Sequence, residues 1–446
     1  MKKFIEDNTQ NMLNDLADLV KFESVNCDDE KPFGSENRKV LDAALSKMNN
    51  MGFKTENADY YAGYGEIGEG EQVIGLIAHL DVVPAGDGWD SDPFAMVEKD
   101  GYVYGRGVSD DKGAAVASMY AMKYLKDTNY PLKKRVRLIL GCNEETGSEC
   151  IRYYVNKYGS VDMGFTPDAD FPGIYAEKAI IGGALIGKNS KIIDIKGGAA
   201  SNIICKEIYC EVPNDSFDEG KFKSYLDDAN IKYNIEKSET TKLTVYGKAG
   251  HASTPNDGIN AINYLMEALY AADFDDSFTN FFHKYFALNL HGEGIGFEAI
   301  KDEESNTSTS LGVAKKENGE IIISVDMRAP VKSSVAKCKE LIEKIKDENN
   351  EYRFFNGVEP IYFDKNSPMI RALIKAYQDV TGDTESKMEA IGGGTYAKTM
   401  DNIIAFGCEF HGENNNIHGA NESLNIENFK KQVEVYVEAI KNLNEV

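Results

Sequence analysis

Hydrophobic residues along this chain recur at two spacings, and the dominant spacing changes partway through. Ile5, Met12, Leu16, Leu19 and Val20 fall near one helical face. Val40, Leu41, Ala44, Leu45 and Met48 repeat the pattern until Gly52 stops it. The unbroken apolar run Val73 to Ala78 reads as a buried strand ending at His79-Leu80-Asp81. Residues 94–104 predict a hairpin turning at Asp100-Gly101. An Ala-rich helix is expected from Lys112 to about Tyr124, then a buried strand over Val136 to Leu140, just before Asn143-Glu144-Glu145. Such alternation predicts an α/β domain whose mostly parallel sheet is covered by helices on both faces. Ligands of these sheets gather beyond the carboxyl ends of the strands, where His79, Asp110 and the Glu144-Glu145 pair all fall.

From about Ala179 the texture becomes α+β. Short alternating strands (191–196, 242–247, 320–328) mix with helices near 259–271 and 334–347. Helix–strand alternation resumes after Pro368, over 370–380 and 403–406, and ends in a helix through Phe429, Val433, Val437 and Ile440. The expected organisation is a discontinuous α/β domain over 1–178 and 363–446, interrupted by an inserted α+β domain over 179–362.

With 446 residues, each part is large enough to bury a core of its own. The formal charge of −24 argues against nucleic acid or an anionic membrane as partner. No apolar run is long enough to span a bilayer, and Met1 to Asp7 lacks a signal core. The seven cysteines show no CxxC spacing, which argues against a zinc ribbon and a secreted disulfide framework; a cytoplasmic protein with reduced thiols is the expectation.

One motif is a decoy. Gly63-Tyr64-Gly65-Glu66-Ile67-Gly68 fits GxGxxG, but a dinucleotide site needs that motif to follow a strand and open a helix. Here a strong strand follows instead, so a Gly-rich hairpin loop is expected.

The remaining signals are acids and histidines at strand ends. His79-Leu80-Asp81 puts two side chains on one face of a strand, so Asp81 can accept from His79 and fix its tautomer. Next come Gly105-Arg106-Gly107-Val108-Ser109-Asp110-Asp111-Lys112-Gly113, Glu144-Glu145-Thr146-Gly147, Thr166-Pro167-Asp168 and His418-Gly419-Ala420-Asn421-Glu422. Singly, each has a structural explanation: a hydrogen-bonded His, a helix N-cap, a polar loop. Their joint order does not.

Taken together, these stretches resemble the co-catalytic metallopeptidases that include carboxypeptidases, aminoacylases, succinyl-diaminopimelate desuccinylase and dipeptidases, with most likeness to bacterial dipeptidases of the peptidase V type. The resemblance covers essentially the whole chain. It implies two divalent ions, Zn²⁺ or Mn²⁺ with Co²⁺ as a further candidate, which suits mixed His and carboxylate ligands. His79, Asp110 and Asp168 would hold one ion, and Asp110, Glu145 and His418 the other, with Asp110 bridging. Asp81 would orient His79, and Glu144 would be general base on a water between the ions. The Asp110-Asp111 peptide bond is implied to be cis.

The insert resembles the family's lid. His251, in Gly247-Lys248-Ala249-Gly250-His251-Ala252-Ser253, would donate to the developing oxyanion, with Asn202 as a second donor. Arg328 resembles the group binding the substrate carboxylate; read alone, it is a strand-end ion pair. Gly393 and Gly394, in Gly392-Gly393-Gly394-Thr395, resemble a substrate-lining loop. The long insert and Thr395-Tyr396, where Thr-Asp is commoner, favour the dipeptidase branch. The expectation is a dipeptidase acting on small peptides as a monomer or weak homo-oligomer. Its alternatives are an N-acyl amino acid deacylase or desuccinylase with the same machinery, and a catalytically silent metal-binding protein.

Overall fold

The computed structural model describes residues 1–300, 302 and 304–446. The chain divides into two compact units. One comprises Met1–Tyr175, Phe363–Glu389 and Thr395–Val446; the other comprises Ala176–Tyr362 with Ala390–Gly394, a segment that lies beyond residue 362 in sequence.

In the first unit, strands Lys54–Ala58, Ala62–Ile67, Arg135–Gly141, Val73–His79, Met163–Thr166 and Ile403–Ala405 lie side by side in that order. The last four run parallel. The first two are an antiparallel hairpin added to their edge. The sheet is therefore mixed, with the expected parallel arrangement at its centre. Parallel direction brings His79, Gly141 and Thr166 to one edge, so the polar segments that follow them converge there.

Helix Lys112–Asp127 is buried through Ala114, Ala115, Ala117 and Ala121. Its small residues suit a position against Val73–His79 and the helices Lys2–Val20 and Ile426–Asn444. A Cβ on Gly113 would stand 2.1 Å from the Val108 carbonyl oxygen, so only glycine lets the helix begin this close to the loop preceding it.

The Gly63–Gly68 segment is not a hairpin loop, as its composition suggested. Residues Ala62–Ile67 form a strand, and the turn lies before them. The glycines serve helix packing: a Cβ on Gly65 would stand 2.5 Å from Met48 Sδ, and one on Gly63 3.0 Å from Leu45. Strand glycines of this kind mark close approach by a neighbour.

The second unit holds an eight-stranded sheet, antiparallel throughout, in the order Tyr233–Lys237, Thr241–Tyr246, Glu207–Val212, Asp194–Gly197, Ser308–Glu317, Glu320–Ala329, Ala179–Gly187 and Asn350–Val358. Its core includes Leu185, Ile208, Phe222, Leu265, Phe278 and Ile323, with helices Glu219–Asp228, Ala261–Ala271 and Ser277–Tyr285 supplying apolar faces. The strand expected at 191–196 begins only at Asp194, because the Lys191 N–H is taken by the Asp276 carboxylate at 2.7 Å. No helix among the described residues is long and apolar enough to cross a membrane.

Candidate active site

At the carboxyl edge of the parallel strands, His79 is fully surrounded and its Nε2 lies 2.9 Å from Asp110 Oδ1. The other Asp110 oxygen, Oδ2, lies 2.9 Å from His418 Nε2, which is also 3.1 Å from Glu145 Oε1. Asp168 Oδ2 stands 4.0 Å from His79 Nε2. The two oxygens of Asp110 thus face two different histidines. Ligand-type atoms of His79, Asp110 and Glu145 all lie within 4.8 Å of one another, as do those of His79, Glu144 and Asp168. Glu144 therefore sits among the ligand-type groups.

Local structure explains why these groups meet. The Asp110–Asp111 peptide bond is cis, the configuration implied by the resemblance. Asp110 turns its carboxylate toward the histidines, while Asp111 Oδ2 accepts the backbone N–H of His79 at 3.0 Å. His418 has φ +61, a left-handed conformation that His tolerates better than most residues do.

Asp81 plays a broader part than orienting one imidazole. The atom nearest His79 Nδ1 is the Asp81 carbonyl oxygen, at 2.9 Å, with the carboxylate 3.6 Å away. The carboxylate is occupied by the next strand's loop: it accepts the N–H of Glu144 at 3.0 Å, that of Glu145 at 3.2 Å, and Asn26 Nδ2 at 3.1 Å. A carboxylate that takes several N–H donors is held rigidly, so Asp81 couples the His79 strand to the Glu144-Glu145 turn.

Glu422, which ends the His418 stretch, does its work through the backbone. It is fully buried and accepts the N–H groups of Gly107 at 3.0 Å, Ser109 at 2.9 Å and Asp110 at 3.1 Å, together with Arg106 Nη1 at 2.7 Å. It therefore fixes the loop that carries Asp110. Arg106 also reaches the Gly419 carbonyl at 3.0 Å and lies over the Trp89 ring. A signal was present: a buried arginine needs an acid to pair with, and Glu422 closes the last of the motif stretches. Lys112 is a second buried cation, its Nζ donating to the Phe22 carbonyl at 3.0 Å. Burial depresses its pKa to about 7 against the pull of Glu422.

The electrostatics fit a cation. Burial, then the charge of Asp110, raises Asp168 to about 7, and burial, then the charge of Asp168, raises Glu144 well above the usual carboxylate range. Burial also raises Asp81 to about 6 against the pull of His79. Burial would raise Asp110 too, but hydrogen bonds from His418 and His79 hold it low. Hydrogen bonds to Asp110 and Glu145 lift His418 to about 10. So many acids sharing one edge repel one another unless positive charge joins them, and imidazole with carboxylate is a donor set for Zn²⁺, Mn²⁺ or Co²⁺.

The second unit brings its own candidates together in two groups. Asn202 and His251 are neighbours: the Ala252 N–H donates to the Asn202 carbonyl at 2.9 Å, and Ile203 bridges His251. Both residues are exposed. Arg328 is buried, its Nε and Nη2 binding both Asp326 oxygens at 2.6 and 2.9 Å, while Nη1 donates to the Gly392 carbonyl at 2.9 Å. The strand-end ion pair is therefore present, and it also anchors the glycine loop. A Cβ on Gly393 would meet only Ile391, at 3.4 Å, whereas one on Gly392 would stand 2.6 Å from Ser253 Cβ.

The model of "Peptidase family M20/M25/M40" matches residues 75–442. A protein of Staphylococcus haemolyticus named as a candidate dipeptidase is 32% identical over 467 aligned residues, covering 99% of each chain. Human carnosine dipeptidase 1 shares the fold with a TM-score of 0.61 at 16% identity, over 100% of this chain and 98% of its own. A Bacillus subtilis M20 peptidase described as dinuclear and metal-binding does so with a TM-score of 0.55 at 12% identity, over 100% and 99%.

Proposed function

We propose that this chain, which belongs to peptidase family M20/M25/M40 and is a hydrolase, is a cytoplasmic two-metal dipeptidase. The observation that carries the two-metal reading is Asp110, with one carboxylate oxygen 2.9 Å from each of two histidines. His79, Asp110 and Asp168 would hold one divalent ion, and Asp110, Glu145 and His418 the other. Such ions, when bound, polarise a carbonyl and make water more acidic.

The chain's own residues do the rest. Glu144, positioned through its N–H by Asp81, accepts the proton of the attacking water and returns it to the leaving amine. Asp81 keeps the Glu144-Glu145 turn in register with His79. The second unit acts as a lid. His251 and Asn202 donate to the oxyanion, Arg328 binds the substrate carboxylate through the donor capacity left by Asp326 and Gly392, and Gly393 and Gly394 line the substrate. Small peptides are the partners, the physiological metal is Zn²⁺, Mn²⁺ or Co²⁺, and the working form is a monomer or weak homo-oligomer.

The choice of dipeptides over N-acyl amino acids follows the Staphylococcus relative, whose similarity runs through 99% of both chains. Both substrate types present an amide next to a C-terminal amino acid; only the dipeptide carries a free α-amino group. The Zn²⁺- or Mn²⁺-loaded enzyme is therefore assayed on a dipeptide and on the N-acetylated form of its C-terminal residue. The expected outcome is turnover of the dipeptide alone. Turnover of the N-acetyl amino acid alone assigns a deacylase, and turnover of neither favours the silent binding protein.

A further inference from the structure

His251 is held by a short local device. Its Nδ1 lies 2.7 Å from the Ser253 hydroxyl and 3.2 Å from the Ser253 backbone nitrogen. A backbone N–H only donates, so Nδ1 must be the acceptor, and the proton of the neutral ring lies on Nε2. With Nδ1 unprotonated, the Ser253 hydroxyl also donates to it. Ser253 is itself fixed in place. Its Cβ fills the space a side chain on Gly392 would need, and the Gly392 carbonyl is tied to Arg328, which is clamped on Asp326.

We propose that Ser253 is a positioning residue that holds His251 with its proton on Nε2, so that the ring presents a hydrogen-bond donor. This rests on His251 being the oxyanion donor. Of the two neutral tautomers, only the Nε2–H form leaves the outer nitrogen able to stabilise a developing negative charge; the Nδ1–H form would turn a lone pair toward it. The same contacts join the His251 loop to Arg328 through Gly392, so the donor and the candidate carboxylate-binding group share one support.

The test reads the tautomer directly. The Zn²⁺-loaded enzyme carrying ring-¹⁵N histidine is examined by NMR, with the His251 signals among the six histidines identified by their loss in His251→Gln. The wild-type ring should be protonated on Nε2 and bare on Nδ1. Ser253→Ala removes the hydroxyl contact at 2.7 Å and leaves only the longer backbone N–H contact at 3.2 Å, so the ring should shift part of the way toward the Nδ1–H form and kcat should fall about tenfold with little change in KM, the scale of one hydrogen bond. Ser253→Thr, which keeps the hydroxyl, should restore both. Gly392→Ala, which displaces the same side chain, should give the same tautomer shift if Ser253→Ala does not fold. A wild-type ring protonated on Nδ1, or a folded variant unchanged in tautomer or in kcat, overturns the assignment. His251→Ala separates the two readings. It should lower kcat by roughly 10²- to 10³-fold, and a normal kcat there removes the oxyanion role while the tautomer is judged by NMR alone.

Discussion

Glu144→Gln should lower kcat by roughly 10²- to 10⁴-fold while KM and metal content stay near those of the parent enzyme. The amide matches the carboxylate in size, and the contact that places residue 144, its backbone N–H on Asp81 Oδ1 at 3.0 Å, does not involve the side chain. What is lost is the ability to accept a proton. A fall in kcat at constant KM marks an interaction made in the transition state rather than with bound substrate. Metal content is measured alongside because ligand-type atoms of Glu144, His79 and Asp168 all lie within 4.8 Å of one another. A variant that loses an ion makes Glu144 a ligand; near-normal kcat removes it from proton transfer.

Asp110→Ala should lose both ions and, with them, all measurable turnover. A carboxylate whose oxygens face His79 and His418 would serve each ion of the proposed pair, and no other side chain has that relation to both histidines among the ligand groups described. The loop itself should persist, since Glu422 holds it through the backbone N–H groups of Gly107, Ser109 and Asp110. The variant is therefore expected to fold. Elemental analysis after reconstitution decides the point: retention of one ion per chain shows that Asp110 serves a single site.

Much of this arrangement was legible in the chain because strand ends leave a clear mark. His79 and the Glu144-Glu145 pair each follow an apolar run, and parallel pairing brings the ends of those runs to one edge, where the shorter strand Met163–Thr166 adds Asp168. The Gly63–Gly68 stretch misled for a related reason. Its glycines suggest a turn locally, but they answer to Leu45 and Met48 on a packed helix, a partner that periodicity does not reveal. Glu422 and Asn26 escaped a role because their work is to satisfy backbone and side-chain groups far away in sequence, 312 residues away for the Glu422–Asp110 contact. The division of labour in Asp81, carbonyl toward His79 and carboxylate toward the Glu144 turn, likewise depends on a loop that only the fold brings near.

Metal dependence and the limit to dipeptides are read together in one titration. Metal-free protein is reconstituted stepwise with Mn²⁺ or Zn²⁺, and kcat/KM is measured at each step on a dipeptide and on the tripeptide that extends it by one residue. Activity should be absent at the start and rise until two ions are bound per chain, with the dipeptide strongly preferred throughout. Full activity in metal-free protein, or equal kcat/KM for the two peptides, would contradict the metal-dependent dipeptidase reading.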